Sequence, residues 1–249
     1  MFKVNTKTSD YMSIVLTHEC NKQCPYCIDK YRGCHEYITL DSIKKAIIFA
    51  KSHNIKDILL VGGEPPLHPQ VVEIAKMIKE AEFNTILTTN YTKPDVVKKL
   101  DKYINSFNIS FYNQKELPKQ RDFKADLTLS TLLYKGGIDS KEKLDAFIEK
   151  YKDDFILKFS TLTVCNDWTA KHQNVDFLDN LYAKKIVLFN EIEGLIYKGY
   201  VIKRYDRIIN LNAEQSFKCH VDGTISDGWE RVNVPARPLV LNSVLQKQR

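Results

Sequence analysis

Three of the six cysteines fall within eight residues, Cys20, Cys24 and Cys27, in the spacing C-x3-C-x2-C. A thiolate is a soft, strong ligand for iron, and thiols clustered this way point to a metal before a disulfide. Iron–sulfur clusters are ordinarily held by four cysteines. Three in one tight loop could hold a cubane by three corners and leave the fourth iron open to another ligand. Zinc fits less well, because its usual sites run C-x2-C and then need a second, distant pair. A second stretch with chemical potential, Val61-Gly62-Gly63-Glu64-Pro65, closes an apolar run. Its two glycines let the backbone come close to a ligand, as only residues without a Cβ can, or simply form a strand-ending turn.

These loops need elements to hold them, and the hydrophobic pattern supplies a regular alternation. Tyr11 to Leu16, Ile55 to Val61, Asn84 to Asn90, Phe107 to Tyr112, Asp126 to Tyr134 and Phe155 to Cys165 are short apolar runs that read as six strands. Between them lie helical patterns at Ser42 to His53 behind an Asp41 cap, Gln70 to Ala81, Lys93 to Tyr103, and Ser140 to Lys152. Asn113 to Lys124, charged and holding Pro118, reads as loop. Strands alternating with helices imply right-handed crossovers and a parallel sheet. Six such units predict an α/β fold, a partial (β/α)6 TIM-like barrel open on one side. Functional groups then belong at the C-terminal ends of the strands. The cysteine loop, Gly62-Gly63-Glu64-Pro65 and Asn90 all sit there.

After Cys165 the pattern changes. A helix is expected over Asn174 to Lys184, strands over Ile186 to Arg204 with a turn near Glu193-Gly194, and a hairpin over Phe217 to Ile225 around Asp222-Gly223. The expected organisation is a core over 1–165 and a small β-rich extension over 166–249 that packs on the barrel opening. No internal repeat or low-complexity tract interrupts it.

Composition narrows the function classes. The 249 residues are 43% hydrophobic, enough for a sizeable core, and carry a net charge of +6. The excess lysines lie at helical spacing, as in Lys44-Lys45, Lys76 and Lys79, so the charge reads as solvated helix faces and not as a nucleic-acid footprint. No apolar run reaches the roughly 20 residues that span a bilayer. The polar start, Met1 to Asp10, lacks a signal-peptide core. A cytoplasmic location is expected, without membrane or nucleic-acid partners.

Cys20-x3-Cys24-x2-Cys27 with Tyr26 before the last cysteine, followed one helix and one strand later by Gly62-Gly63-Glu64-Pro65, resembles the signature of the radical S-adenosylmethionine (SAM) superfamily. Within it, Leu16-Thr17 ahead of Cys20-Asn21 is most similar to the molybdenum-cofactor-biosynthesis-like and peptide-modifying branches. The resemblance covers about residues 11–165. It implies a 4Fe-4S cluster on Cys20, Cys24 and Cys27 and SAM on the open iron. One electron from a flavodoxin- or ferredoxin-type reductant would break the sulfonium bond, and the 5′-deoxyadenosyl radical would take hydrogen from a peptide, a protein or a small nucleotide-like molecule. It further implies that Tyr26 lies near the adenine, that Gly62, Gly63, Glu64 and Pro65 meet the methionine amino group, and that Thr88, Thr89, Asn90 and Ser110 supply polar contacts. Ser130 and Thr131 on the fifth strand are weaker candidates of the same kind, as readily core as ligand.

On the substrate side, Cys219 is the expected hydrogen donor or cavity residue, because its hairpin also holds His220, Asp222 and Trp229. Trp168 could shape the same pocket. Cys34 reads as an accidental thiol; Cys165, like Cys219, has the default reading of a buried inert cysteine, with hydrogen donation to a substrate radical as the alternative; His18, His35 and His68 read as loop or capping histidines. The competing reading is an iron–sulfur or zinc scaffold protein without SAM chemistry.

Overall fold

In the computed structural model, which describes residues 11–29, 31, 33–173, 175–188, 192–208 and 216–226, the predicted alternation is realised strand by strand. Strands β1 (Tyr11–Val15), β2 (Asp57–Val61), β3 (Asn84–Thr89), β4 (Ser106–Ser110), β5 (Asp126–Leu133) and β6 (Ile156–Thr161) pair in sequence order, each parallel to the next. Helices α1 (Leu40–Ser52), α2 (Val71–Glu80), α3 (Pro94–Leu100) and α4 (Lys141–Tyr151) provide the crossovers, and the β4–β5 link holds only a short 3-10 turn at Gln120–Asp122. A sheet wound in one direction by right-handed crossovers carries its helices on one face.

That face is the apolar core. Ile14, Leu60, Leu87, Phe107, Leu129 and Phe159 are fully buried against Ile43, Ala46, Ile74, Val97 and Leu144 of the four helices. Burying each large side chain contributes roughly 1.5–3 kcal/mol. The N-cap of α1 is Thr39, whose hydroxyl accepts from Ser42 N at 3.1 Å, and not the expected Asp41. Asp41 falls in the first turn, where it pairs with Lys44 and favours the positive helix end.

Residues of opposite parity form the inner face. Register sets Ser110 beside Ser130 and Ser130 beside Lys158, with Thr88, Asn108 and Thr128 aligned one layer below.

The C-terminal third departs from expectation in detail. The helix expected over Asn174 to Lys184 is replaced by α5 (Asp167–His172) and a 3-10 turn at Asp176–Asn180. Asn166 and Thr169 set the start of α5 by capping each other reciprocally, at 2.8 and 3.0 Å. Strands β7 (Lys184–Val187), β8 (Ile192–Tyr197) and β9 (Tyr200–Ile208) form an antiparallel meander, and β9 runs parallel to β6. Its β8–β9 turn is Lys198-Gly199, both with positive φ (50° and 86°), the geometry that suits hairpin twist. Gly194 lies instead within β8, where a Cβ would come within 2.9 Å of Leu188.

The hairpin around Asp222-Gly223 is present as β10 (Phe217–Cys219) and β11 (Ile225–Ser226). Strand β10 pairs parallel to β1, giving the order β11-β10-β1-β2-β3-β4-β5-β6-β9-β8-β7. The described part of the C-terminal third therefore lengthens the sheet at both edges, occupying backbone groups that would otherwise be unpaired. The sheet does not close. Trp229 and the tail from Arg237 lie outside the described residues. Among the described residues no helix is long and apolar enough to cross a membrane.

Candidate active site

The loop that follows β1 is held to the C-terminal ends of three other strands. Beyond β2, Gly63 N donates to Thr17 O and Glu64 N to Glu19 O, both at 2.8 Å. A Cβ on Gly62 (φ 137°) would lie 2.2 Å from Thr17 O, and one on Gly63 would lie 2.1 Å from Glu19 O. The missing Cβ atoms let the backbone of the cysteine loop pass directly against the glycine pair. Beyond β3, Asn90 Nδ2 donates to Asn21 Oδ1 at 3.0 Å and lies 3.9 Å from Cys20 Sγ, while Thr92 receives the Asn21 amide at 2.8 Å. Beyond β6, Asn166 Nδ2 donates to Pro25 O at 2.8 Å, and Cys165 Sγ lies 3.7 Å from Cys27 O.

Glu64 ties the second clasp to the first. It is 1% exposed, and its two carboxylate oxygens accept from Thr89 Oγ1 and from Asn90 N. Burial raises its carboxyl to about 7, against the lowering effect of those two donors. Pro65 begins a buried 3-10 turn, and His68 behind it donates Nε2 to Ile38 O at 3.0 Å while Nδ1 accepts from Gln70 N. His68 is thus a structural tether, as its loop position suggested.

Tyr26 sits between Tyr134 and Trp168, ring centroids 6.1 and 6.0 Å away, and burial beside the Cys24 thiol raises its phenol. Trp168 stacks on His172 at 4.0 Å. Cys165, read from sequence by default as a buried inert cysteine, lies against the cysteine loop, and Asn166 and Asn21, which the sequence reading passed over, hold that loop directly. A capping pattern, Asn166 followed three residues later by Thr169, is the signal that marks the first of these.

The polar candidates divide by strand parity. Thr88, Ser110 and Ser130 lie on the inner face; Ser130 Oγ donates to Asn108 Oδ1 at 2.6 Å, and Asn108 Nδ2 to Thr88 Oγ1 at 3.4 Å. Thr131 is buried on the helix side with Leu129 and Leu133. Cys219 requires a correction. Its register partner is Ile14, it is 0% exposed within the apolar core, and burial pushes its thiol up to about 12. Strand alternation turns it toward the helices, away from the inner face, so it borders no cavity there. His220 binds Ser226 Oγ at 2.9 Å within its own hairpin.

The donor set suits an iron–sulfur cubane. No disulfide consumes any of the six thiols. Each iron of a cubane takes its own thiolate, so three cysteines need not converge on a point. No three His, Cys, Asp or Glu side chains among the described residues surround a single-ion position. The Asn90 amide directed at Cys20 Sγ is the kind of donor that tunes a cluster's potential.

Residues 14–113 match the sequence model of the Radical SAM superfamily. A GTP 3′,8-cyclase of Clostridium perfringens is 32% identical over 242 residues, covering 92% of this chain and 68% of that protein. A Methanocaldococcus jannaschii protein named as a candidate glycyl-radical enzyme activating enzyme is 29% identical over 206 residues, 81% of this chain and 70% of its own. Among solved structures, Streptococcus suis SuiB bound to its precursor peptide SuiA superposes with a TM-score of 0.58 at 13% identity, covering 96% of this chain and 64% of that one, and so shares its fold. Three thiols in the family's spacing, a glycine pair locked onto their loop, and a relative aligned along nearly the whole chain lead to one conclusion: this protein belongs to the radical SAM superfamily, enzymes that use a 4Fe-4S cluster to cleave SAM reductively.

Proposed function

We propose that Cys20, Cys24 and Cys27 hold the cluster, and that SAM and then substrate lie against the inner face at the C-terminal ends of the strands. The observation that carries this is the triple clasp on the cysteine loop, which fixes all three thiols relative to β2, β3 and β6. When bound, cluster and SAM together supply the 5′-deoxyadenosyl radical that takes hydrogen from the substrate. The chain's own residues do the positioning. Tyr26, Tyr134 and Trp168 form an aromatic cluster beside the thiols that suits the adenine. Glu64 has both oxygens engaged by Thr89 and Asn90, so it holds the Gly-Gly turn in place and orients its carbonyls, with Pro65 fixing the exit of the chain. Asn90 spans the turn and the loop. Ser110 and Ser130 offer hydroxyls on the inner face, for the ribose or the methionine carboxylate.

The two named relatives and SuiB differ in what they act on, so their names support two substrate classes, a peptide or protein and a small nucleotide-like molecule. Reduction requires a donor, proposed as flavodoxin or ferredoxin in type. The division into a 1–165 core and a 166–249 extension that packs on the barrel opening is retained as a proposal.

Anaerobically reconstituted, dithionite-reduced protein should convert SAM to 5′-deoxyadenosine and methionine even without substrate. Chromatography that finds S-adenosylhomocysteine alone would show methyl transfer instead, and no product at all would favour the scaffold reading.

A further inference from the structure

A cleft on the helix-bearing side of the sheet lies beside the cysteine loop and apart from the inner face. It holds about 440 Å³ between the start of α3 and the β4–β5 link. Tyr91, Leu117, Pro118 and Phe123 give it an apolar, aromatic lining. Lys98 of α3 braces it, with its ammonium 4.3 Å from the Phe123 ring centre and 3.3 Å from the Asp101 carboxylate. Tyr91 is the wall that meets the clasp on the thiols. It follows Asn90, whose amide lies 3.9 Å from Cys20 Sγ, and precedes Thr92, whose hydroxyl receives the Asn21 amide at 2.8 Å. Its backbone is left-handed at φ 58°, held there by its N–H, which donates to Thr89 Oγ1 at 3.0 Å. A bulky residue kept in that region is strained, and such strain persists where the surrounding structure fixes it, often at working sites.

The rim of the cleft is cationic. Lys119 and Arg121 line it, both exposed and neither in an ion pair among the described residues. Lys22 carries the charge toward Cys20, its ammonium 4.2 Å from the ring centre of Tyr112, just ahead of the 113–124 loop. Lys93, also exposed, follows Thr92. Two carboxylates stand among them, Asp95 and Asp122, and neither forms an ion pair. Four unpaired cations against two unpaired carboxylates leave this surface with a net charge of +2. Elsewhere on the helix side Lys44, Lys76 and Lys141 each have a carboxylate within 3.7 Å.

We propose that this cleft and its rim dock the one-electron donor, and that the donor is a flavodoxin-type carrier. This rests on the radical SAM reading, in which an electron must reach a cluster held by Cys20. Electrons pass between proteins only across short gaps, so the donor must approach a surface that lies against the ligating thiols. From the cleft, Tyr91 leads to Cys20 Sγ through one peptide link and the 3.9 Å contact of Asn90. The chemistry fits as well. The benzenoid edge of a flavin is flat and apolar and suits Tyr91, Leu117 and Phe123, while acidic side chains around it suit Lys22, Lys93, Lys119 and Arg121. The anionic flavin hydroquinone loses one electron to become the neutral semiquinone, the cluster gains that electron, and no proton need move. A carrier docked here leaves the inner face to SAM and substrate.

The reconstituted protein is mixed anaerobically with a reduced flavodoxin at low ionic strength, and cluster reduction is followed by stopped-flow absorbance. Lys119→Glu combined with Arg121→Glu should slow the bimolecular rate about tenfold, because charge complementarity acts on association. The loss should vanish in about 1 M salt, where the screening length is about 3 Å. Lys45→Glu combined with Lys79→Glu makes the same change in net charge at exposed positions on α1 and α2, and should keep most of the wild-type rate. Equal slowing by the two pairs would reduce the effect to net charge and overturn the docking site. Photoreduced deazariboflavin, a small donor, separates docking from damage: if it too reduces the Lys119→Glu, Arg121→Glu variant tenfold more slowly, the proposal fails. Carbodiimide should cross-link Lys119 to a flavodoxin carboxylate. A link to a second copy of this chain instead, or a rate loss seen with a ferredoxin and not with flavodoxin, would overturn the assignment. Failure of the parent reading would appear separately, as a preparation that takes up no iron.

Discussion

The two halves of the sheet treat their polar groups differently. At the ends of β2 and β3, nearly every polar atom near the cysteine loop is used internally: Glu64 by Thr89 and Asn90, Asn90 by Asn21 and Thr92, the Gly63 and Glu64 amides by Thr17 and Glu19. On β4 to β6, Ser110, Ser130 and Lys158 face inward, and Lys158 has no carboxylate partner among the described residues. The first half spends its hydrogen bonds on holding a loop in one position. The second half presents groups to whatever occupies the inner face. A superfamily with one cofactor chemistry and many substrates needs this division, because positioning must be fixed while recognition varies.

The comparison breaks most readily at Gly62. Gly62→Ala puts a methyl group 2.2 Å from Thr17 O at a φ of 137°, so strain and overpacking together should cost roughly 3–5 kcal/mol. Thermal unfolding should show the loss, and iron incorporation should fall with it. Wild-type stability and iron content would mean that the glycine pair does not set the loop.

Glu64 gives the next largest effect and a pH signature. Its carboxyl is raised from 4.5 to about 7 by burial, so the folded state binds the proton more tightly than the unfolded chain. The associated stability is full below about pH 4.5 and is lost as pH rises through about 7. The change is on the order of 3 kcal/mol. Denaturant titrations of cluster-free protein should show the wild type losing stability relative to Glu64→Gln across that window. A constant difference between the two would contradict the burial.

Asn90→Ala removes the amide that reaches Asn21 and Cys20 and should destabilise the protein by about 1–2 kcal/mol. The reconstituted cluster should bleach faster in air, followed by visible absorbance; an unchanged bleaching rate would remove Asn90 from the clasp. Ser130→Ala, in the other half, should cost about 1 kcal/mol or less and leave iron content at the wild-type level. An iron loss matching that of Asn90→Ala would erase the distinction between the halves.

The sequence made the six-stranded core and the cysteine loop legible because both are local. Period-2 apolar runs and glycine at a strand end are written in neighbouring residues. The C-terminal third was harder to read. Which edge β10 joins depends on pairing Cys219 with Ile14, 205 positions apart in sequence, and no local pattern encodes that partnership. Cys219 was therefore placed at the substrate on the strength of its polar neighbours, whereas the register turns it into the core. Strand parity also separates Ser130 from Thr131, which composition alone treats alike.

Iron and acid-labile sulfide content after anaerobic reconstitution tests the central assignment most directly. Wild-type protein should hold about four of each per chain, the Cys20, Cys24 and Cys27 triple alanine variant should hold none, and Cys34→Ala should match the wild type. A triple variant that keeps its full iron would contradict the account.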